Sequence, residues 1–117
     1  MSGPALLHII HADEWNAVAG CAEYRAPSLD TEGFIHCSYA TQVLTPANER
    51  FAGMSGLKLL VLDETKLEAP LVIEDTTGGG VAFPHIYGSI PLAAVTGIVD
   101  FPCEADGSFV LPNELAN

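Results

Sequence analysis

Four histidines are the residues of this chain best suited to chemistry: His8, His11, His36 and His85. Three of them interrupt apolar runs. Leu6-Leu7-His8-Ile9-Ile10, Gly33-Phe34-Ile35-His36-Cys37-Ser38 and Phe83-Pro84-His85-Ile86-Tyr87-Gly88 each read as an extended segment. A strand turns alternate side chains to opposite faces. His36 and Ser38 therefore share one face, and Ile35 and Cys37 the other. His85 and Tyr87 also share a face, and His8 points away from Leu7 and Ile9. Imidazole titrates near neutrality, so rings contributed by three strands would make a polar pocket fit for acid–base work. Gly33 and Gly88 bracket these segments and leave room for a ligand against the backbone. His11, just ahead of the first helical pattern, reads as a solvated loop or capping residue.

Such a pocket is open to several chemistries. Three histidines can hold zinc with a fourth position free, although no HExxH and no close ligand pair is present. His36-Cys37-Ser38 and His85-Ile86-Tyr87 could act as base and acid on a phosphoester. Cys37 could be a nucleophile, but alternation turns it away from His36. A fourth use is a dinucleotide pocket built from hydrogen bonds and stacking, with a carboxylate to complete the chemistry.

The elements that must position these residues follow from periodicity and punctuation. Leu6 to Ile10 reads as the first strand. Asp13 to Ala22 reads as a helix with acids in its first turn. Tyr24 to Ser28, with Pro27, reads as a loop, and Gly33 to Ser38 as a short strand. Thr41 to Phe51 is a second helix and Leu57 to Asp63 a central apolar strand. Leu71 to Glu74 is a further strand. Val81 to Tyr87 is extended, and Pro84 suggests an edge or a site segment. Pro91 opens a helical turn through Ala94, Gly97 to Phe101 is a strand, and Asp106-Gly107 is a hairpin signal leading to a strand at Phe109 to Leu111. Gly78-Gly79-Gly80 is a turn, lacking the Lys-Ser/Thr of a phosphate loop. Two helices early and strands late predict an α+β fold on a largely antiparallel sheet.

Composition limits the function classes. The 117 residues are 49 % apolar and 16 % charged, which suits one core-forming domain over residues 1–117, with its core at about 6–112. Fifteen carboxylates against four cations give a net charge of −11. Arg25, Arg50, Lys58 and Lys66 cannot build a phosphate-neutralising surface, which excludes nucleic acid and anionic membranes as expected partners. A small molecule remains, because one arginine suffices for one phosphate. Three cysteines, Cys21, Cys37 and Cys103, form no paired framework. The stretch Met1-Ser2-Gly3-Pro4-Ala5 has no cation ahead of an apolar run, so a cytoplasmic protein is expected.

The strings Ser28-Leu29, Glu32-Gly33-Phe34-Ile35-His36-Cys37-Ser38, Gln42, Ala47-Asn48 and Phe83-Pro84-His85-Ile86-Tyr87-Gly88 resemble domain of unknown function family 952, a group of small bacterial and plant proteins. His8-Ile9, Trp15, Glu74, Ala94-Val95 and Asp106-Gly107-Ser108-Phe109 fit the same pattern, so the resemblance runs from about Leu6 to Pro112. It implies membership of the ADP-ribosyltransferase clan by fold similarity: a split, mostly antiparallel sheet with two main helices, holding NAD as substrate in a cleft. No metal is expected, given the missing ligand spacing. The resemblance implies that His8 meets a ribose hydroxyl and that His36 with Ser38 forms the second motif. Glu74 or the His85–Tyr87 pair would form the third. Tyr87 or Phe83 would stack on nicotinamide and Arg25 would hold the pyrophosphate. Glu74 would stabilise the charge developing at the ribose carbon or activate the acceptor. The charge argues against an RNA 2′-phosphotransferase. The competing readings are a non-catalytic small-metabolite-binding module and a metal-dependent or two-histidine hydrolase.

Overall fold

The structure, a computed structural model, describes residues 4–115; Met1, Ser2 and Gly3 of the N-terminal stretch read above lie outside the described residues, as do the last two residues. Strands β1 (Leu6–His11), β2 (Glu23–Tyr24), β3 (Ile35–His36), β4 (Ser38–Tyr39), β5 (Leu57–Leu62), β6 (Leu71–Glu74), β7 (Phe83–Ile86), β8 (Ile90–Pro91) and β9 (Val95–Asp100) alternate with helices α1 (Ala12–Val18), α2 (Pro27–Thr31) and α3 (Leu44–Arg50). A four-stranded sheet has the order β4-β1-β5-β9, a three-stranded sheet the order β3-β7-β6, and β2 pairs with β8. Every pairing is antiparallel. This is the α+β class that the order of elements predicts.

The larger sheet is buried on both faces, which is why β5 is almost wholly apolar. Leu6, Ile10, Leu60 and Leu62 pack with Tyr24, Ile35 and Ile86 on one side. Leu7, Leu57 and Leu59 pack with Val43 and Ala47 of the α3 segment, Phe101 and Phe109 on the other. Strands β3 and β4 are separated only by Cys37, so one extended stretch leaves the small sheet and enters the large one. Pro84 explains the departure. Its carbonyl accepts from the Cys37 N–H at 3.1 Å, but proline has no N–H to return the second bond of that pair, and the ladder stops there. The sheets diverge at this point.

Several local expectations change. Val81 to Tyr87 is not an edge segment: β7 lies between β3 and β6, and Pro84 is tolerated where β3 peels away. Three short helices replace the expected two. The first ends at Val18 instead of Ala22 because Gly20 turns the chain with φ 90°. The second was hidden by Pro27, which occupies the first turn of α2, where its fixed φ and missing N–H cost nothing. The third begins at Leu44, three residues after Thr41. Phe109 to Leu111 form no strand. The Phe109 N–H donates to Asn48 Oδ1 at 2.8 Å and its ring stacks on Phe101, centroids 4.7 Å apart, so the segment is tied down by side chains.

The chain leaves β7 through a tight spot. A Cβ on Gly88 would lie 2.5 Å from the Ala69 Cβ, so only glycine lets Tyr87 and its neighbours sit beside this segment. Among the described residues no helix is long and apolar enough to cross a membrane.

Candidate functional site

The split between the sheets opens a cleft with two lobes. One, about 220 Å³, lies over β6 and β7 and is lined by Glu74, Phe83 and His85 together with Glu49 and the Thr76–Gly79 loop. The other, about 190 Å³, lies over β1 and is lined by His8, Glu14, Tyr24 and Ser28. His36, Cys37, Ser38, Pro46 and Arg50 line both. Small-molecule sites usually measure roughly 300–1,000 Å³, so a ligand would need to reach into both lobes.

Strand register assembles the first lobe. His36 and His85 are direct partners across β3 and β7, and Glu74 is the partner of Phe83 across β6 and β7. The His36 and His85 rings meet edge to face with centroids 5.5 Å apart. His85 is buried and its Nδ1–H donates to Glu74 Oε2 at 2.9 Å. The Tyr87 hydroxyl donates to the same oxygen. These two hydrogen bonds, Tyr87 first, hold the Glu74 carboxyl below its ordinary value of 4.5. With Nδ1 donating, a neutral His85 ring carries its lone pair on Nε2. A carboxylate that orients an imidazole in this way makes a general base. His36 Nε2–H donates to Glu32 Oε2 at 3.0 Å, and that bond is the main cause of the lowered Glu32 carboxyl.

Phe34 organises the lobe from beneath. It stacks on His85 with centroids 4.1 Å apart and planes 21° from parallel, and meets His36 edge-on at 4.9 Å and Tyr87 at 5.4 Å. It is not among the candidate site residues read from the sequence, because an aromatic in a strand reads as core.

In the second lobe His8 is buried, and its Nδ1–H donates to the His36 carbonyl at 2.6 Å. Its Nε2 faces the Tyr24 hydroxyl at 3.2 Å, which in turn donates to Glu14 Oε2 at 2.6 Å. Ser38 is buried between the lobes.

The structure therefore brings His8, His36, Ser38, Glu74, Phe83 and His85 to one cleft, with Tyr87 on the Glu74 carboxylate at its edge. Glu74 and the His85–Tyr87 pair are not alternatives for one place but members of one hydrogen-bonded group. Arg25 is a correction. It is exposed, pairs with Asp30 at 2.8 Å, and lines neither lobe. The cation of the cleft is Arg50, in the last turn of α3. Nothing local in the sequence marks it, because its place depends on α3 packing Ala47 under the large sheet. His11 is exposed and supplies no side-chain cap to α1, though it borders the second lobe and meets Phe51. Cys37 is buried, and burial pushes its thiol up, so a thiolate nucleophile is disfavoured. Among the described residues no three His, Cys, Asp or Glu side chains group as a metal ion needs.

These environments set an acid limit to stability. Burial, opposed only in part by the His36 carbonyl and Glu14, holds His8 below its ordinary 6.5. The unfolded chain binds that proton first, so this contribution is complete above about pH 6.5 and is lost as pH falls toward the folded value. Glu32 and Glu74, held below 4.5, contribute above that pH and lose their contribution as it falls further. The urea midpoint is expected to be highest near neutrality and, on the acid side, to decline in two stages, beginning near pH 6.5 and again below pH 4.5. A midpoint constant from pH 7 to 5 would contradict the burial of a neutral His8.

Comparison with known proteins agrees with this architecture. Residues 9–98 match the family model "Protein of unknown function (DUF952)", and the chain belongs to that family. The crystal structure of protein CC0527 from Caulobacter crescentus is similar, with 30% identity, a TM-score of 0.84, and 97% of this chain and 99% of that one covered. The solution NMR structure of CC0527 is similar at 27% identity and a TM-score of 0.75, over 96% of this chain and 97% of that one. A comparison with curated proteins finds no match.

Proposed function

We propose that the cleft binds NAD and that its first lobe cleaves the bond between nicotinamide and ribose, in the manner of the ADP-ribosyltransferase clan that the family resemblance implies. The observation that carries this reading is the Glu74–His85 pair, a carboxylate-oriented base within a cleft whose two lobes share one arginine. Charge favours a ligand of mixed sign. The first lobe presents Glu49, Glu74 and Asp75 against a single cation, Arg50. A cationic nicotinamide ring suits the acidic lobe, where Phe83 offers an aromatic face, and the pyrophosphate suits Arg50. His8 and Ser38 then lie on the ribose side.

In the reaction an acceptor hydroxyl, of water or an alcohol, forms a bond to the ribose carbon as the carbon–nitrogen bond breaks. Nicotinamide leaves neutral with the bonding pair. The hydroxyl proton passes to His85 Nε2, and the imidazolium so formed is stabilised by Glu74 at Nδ1. Atoms and charge balance: the positive charge of the pyridinium ends as the proton on His85.

The test is release of free nicotinamide from NAD by the purified chain. Release above the uncatalysed rate supports the reading. Saturable binding without release would leave a nucleotide-binding module, and cleavage of phosphoesters instead would favour the facing His36 and His85 rings as an acid–base pair.

A further inference from the structure

The second lobe contains a chain of three titratable groups that the proposed reaction does not use. His8 Nδ1 donates to a carbonyl, which can only accept, so a neutral His8 presents a lone pair at Nε2 to the Tyr24 hydroxyl. That hydroxyl has one proton and two acceptors, His8 Nε2 at 3.2 Å and Glu14 Oε2 at 2.6 Å. One further proton satisfies every group, whichever end it enters. Glu14 is half-exposed on α1 at the rim, whereas Tyr24 and His8 are buried.

We propose that Glu14, Tyr24 and His8 form a one-proton relay joining the rim of the second lobe to its floor. A proton taken from water by the Glu14 carboxylate passes to the Tyr24 oxygen as the phenolic proton passes to His8 Nε2. The carboxylate and the phenol are regenerated and His8 becomes an imidazolium. The other groups that face this ring or its lobe are His36 and Cys37, beside the ring, His11 at the end of β1, and Arg50 of α3; the partner of His8 on β5, Leu60, is apolar. Glu14 and Tyr24 are positioning residues in this scheme: they fix when His8 carries charge. The relay gives a negatively charged ligand group in this lobe a proton-linked partner, and it stands whether or not that ligand is NAD.

The test needs no ligand. The ring nitrogens of His8 are followed by NMR against pH in wild type, Tyr24→Phe, Glu14→Gln and the double variant. Wild type is expected to carry its proton on Nδ1 at neutral pH. The His8 midpoint should fall by about one pH unit in each single variant, and the double variant should fall no further, because either change breaks the same chain. Independent, additive shifts would show Glu14 acting through space and would overturn the relay, as would an unmoved midpoint. Should Tyr24→Phe fail to fold, the Tyr24 hydroxyl proton in wild type is the second readout. It should shift with the His8 midpoint, and a hydroxyl resonance indifferent to His8 titration overturns the proposal.

Discussion

Replacing Glu74 with glutamine is expected to lower nicotinamide release about 100- to 1,000-fold, the scale of losing one preorganised charge at a developing cation. The substitution keeps the shape of the side chain. Its amide oxygen can still accept from either His85 Nδ1 or the Tyr87 hydroxyl. It cannot carry the negative charge that favours an imidazolium at His85 once the acceptor proton arrives. The loss should fall mainly on kcat, with a smaller loss of NAD affinity from the less acidic lobe, because the charge matters most in the transition state. Glu74 is half-buried at the end of β6, so the fold should survive, and circular dichroism checks this. A Glu74→Gln variant within twofold of wild type in kcat would remove the carboxylate from the mechanism.

Phe34→Ala is expected to be the most damaging change near the site. Phe34 is only 7 % exposed, and the His36 and His85 rings of the first lobe and the Tyr87 ring at its edge rest on it. Truncating a buried phenylalanine costs about 3–5 kcal/mol through lost burial and the space left behind. For a chain of this size that lowers Tm by about 10 °C or more. The His85 ring would also lose the flat surface that fixes its plane, so its Nε2 would no longer be aimed. Phe34→Leu separates the two effects: it should recover most of the thermal stability without restoring ring order or NAD cleavage. Thermal melts and histidine ring linewidths read these outcomes. A variant melting within about 2 °C of wild type, against the ~3 kcal/mol expected, would mean that Phe34 carries no weight beneath the site.

The contrast between these residues explains what the sequence could tell. The period of two in a strand was enough to put His36 with Ser38, and His85 with Tyr87, on common faces. It could not say that the two faces meet, because that depends on the pairing of β3 with β7, nearly fifty residues apart in the chain. Glu74 was ambiguous for the same reason: its contact with His85 comes from the register that sets Glu74 opposite Phe83. Arg25 looked suitable because it follows the first helix, yet a nearby aspartate takes it, and the helix that delivers Arg50 is placed by distant packing. At Pro27 proline starts a helix where a loop was expected, and at Pro84, where an edge or a site segment was expected, it ends a ladder inside a sheet on a strand that lines the cleft. In both places the missing N–H falls where no partner is needed, a matter of tertiary context. The apolar strands β1 and β5 needed no such context and lie where their composition puts them.

In the proposed function the cleft at the sheet split is one binding site, spanning from His8 to the Glu74–His85 pair. The most direct test is an NMR titration of the protein with NAD that follows the histidine ring protons. Saturable shifts of His8, His36 and His85 are expected together, along one binding curve, with the Trp15 indole, which lines neither lobe, unmoved. No shift of these rings at millimolar NAD, or shifts confined to residues outside both lobes, would contradict a single binding site there.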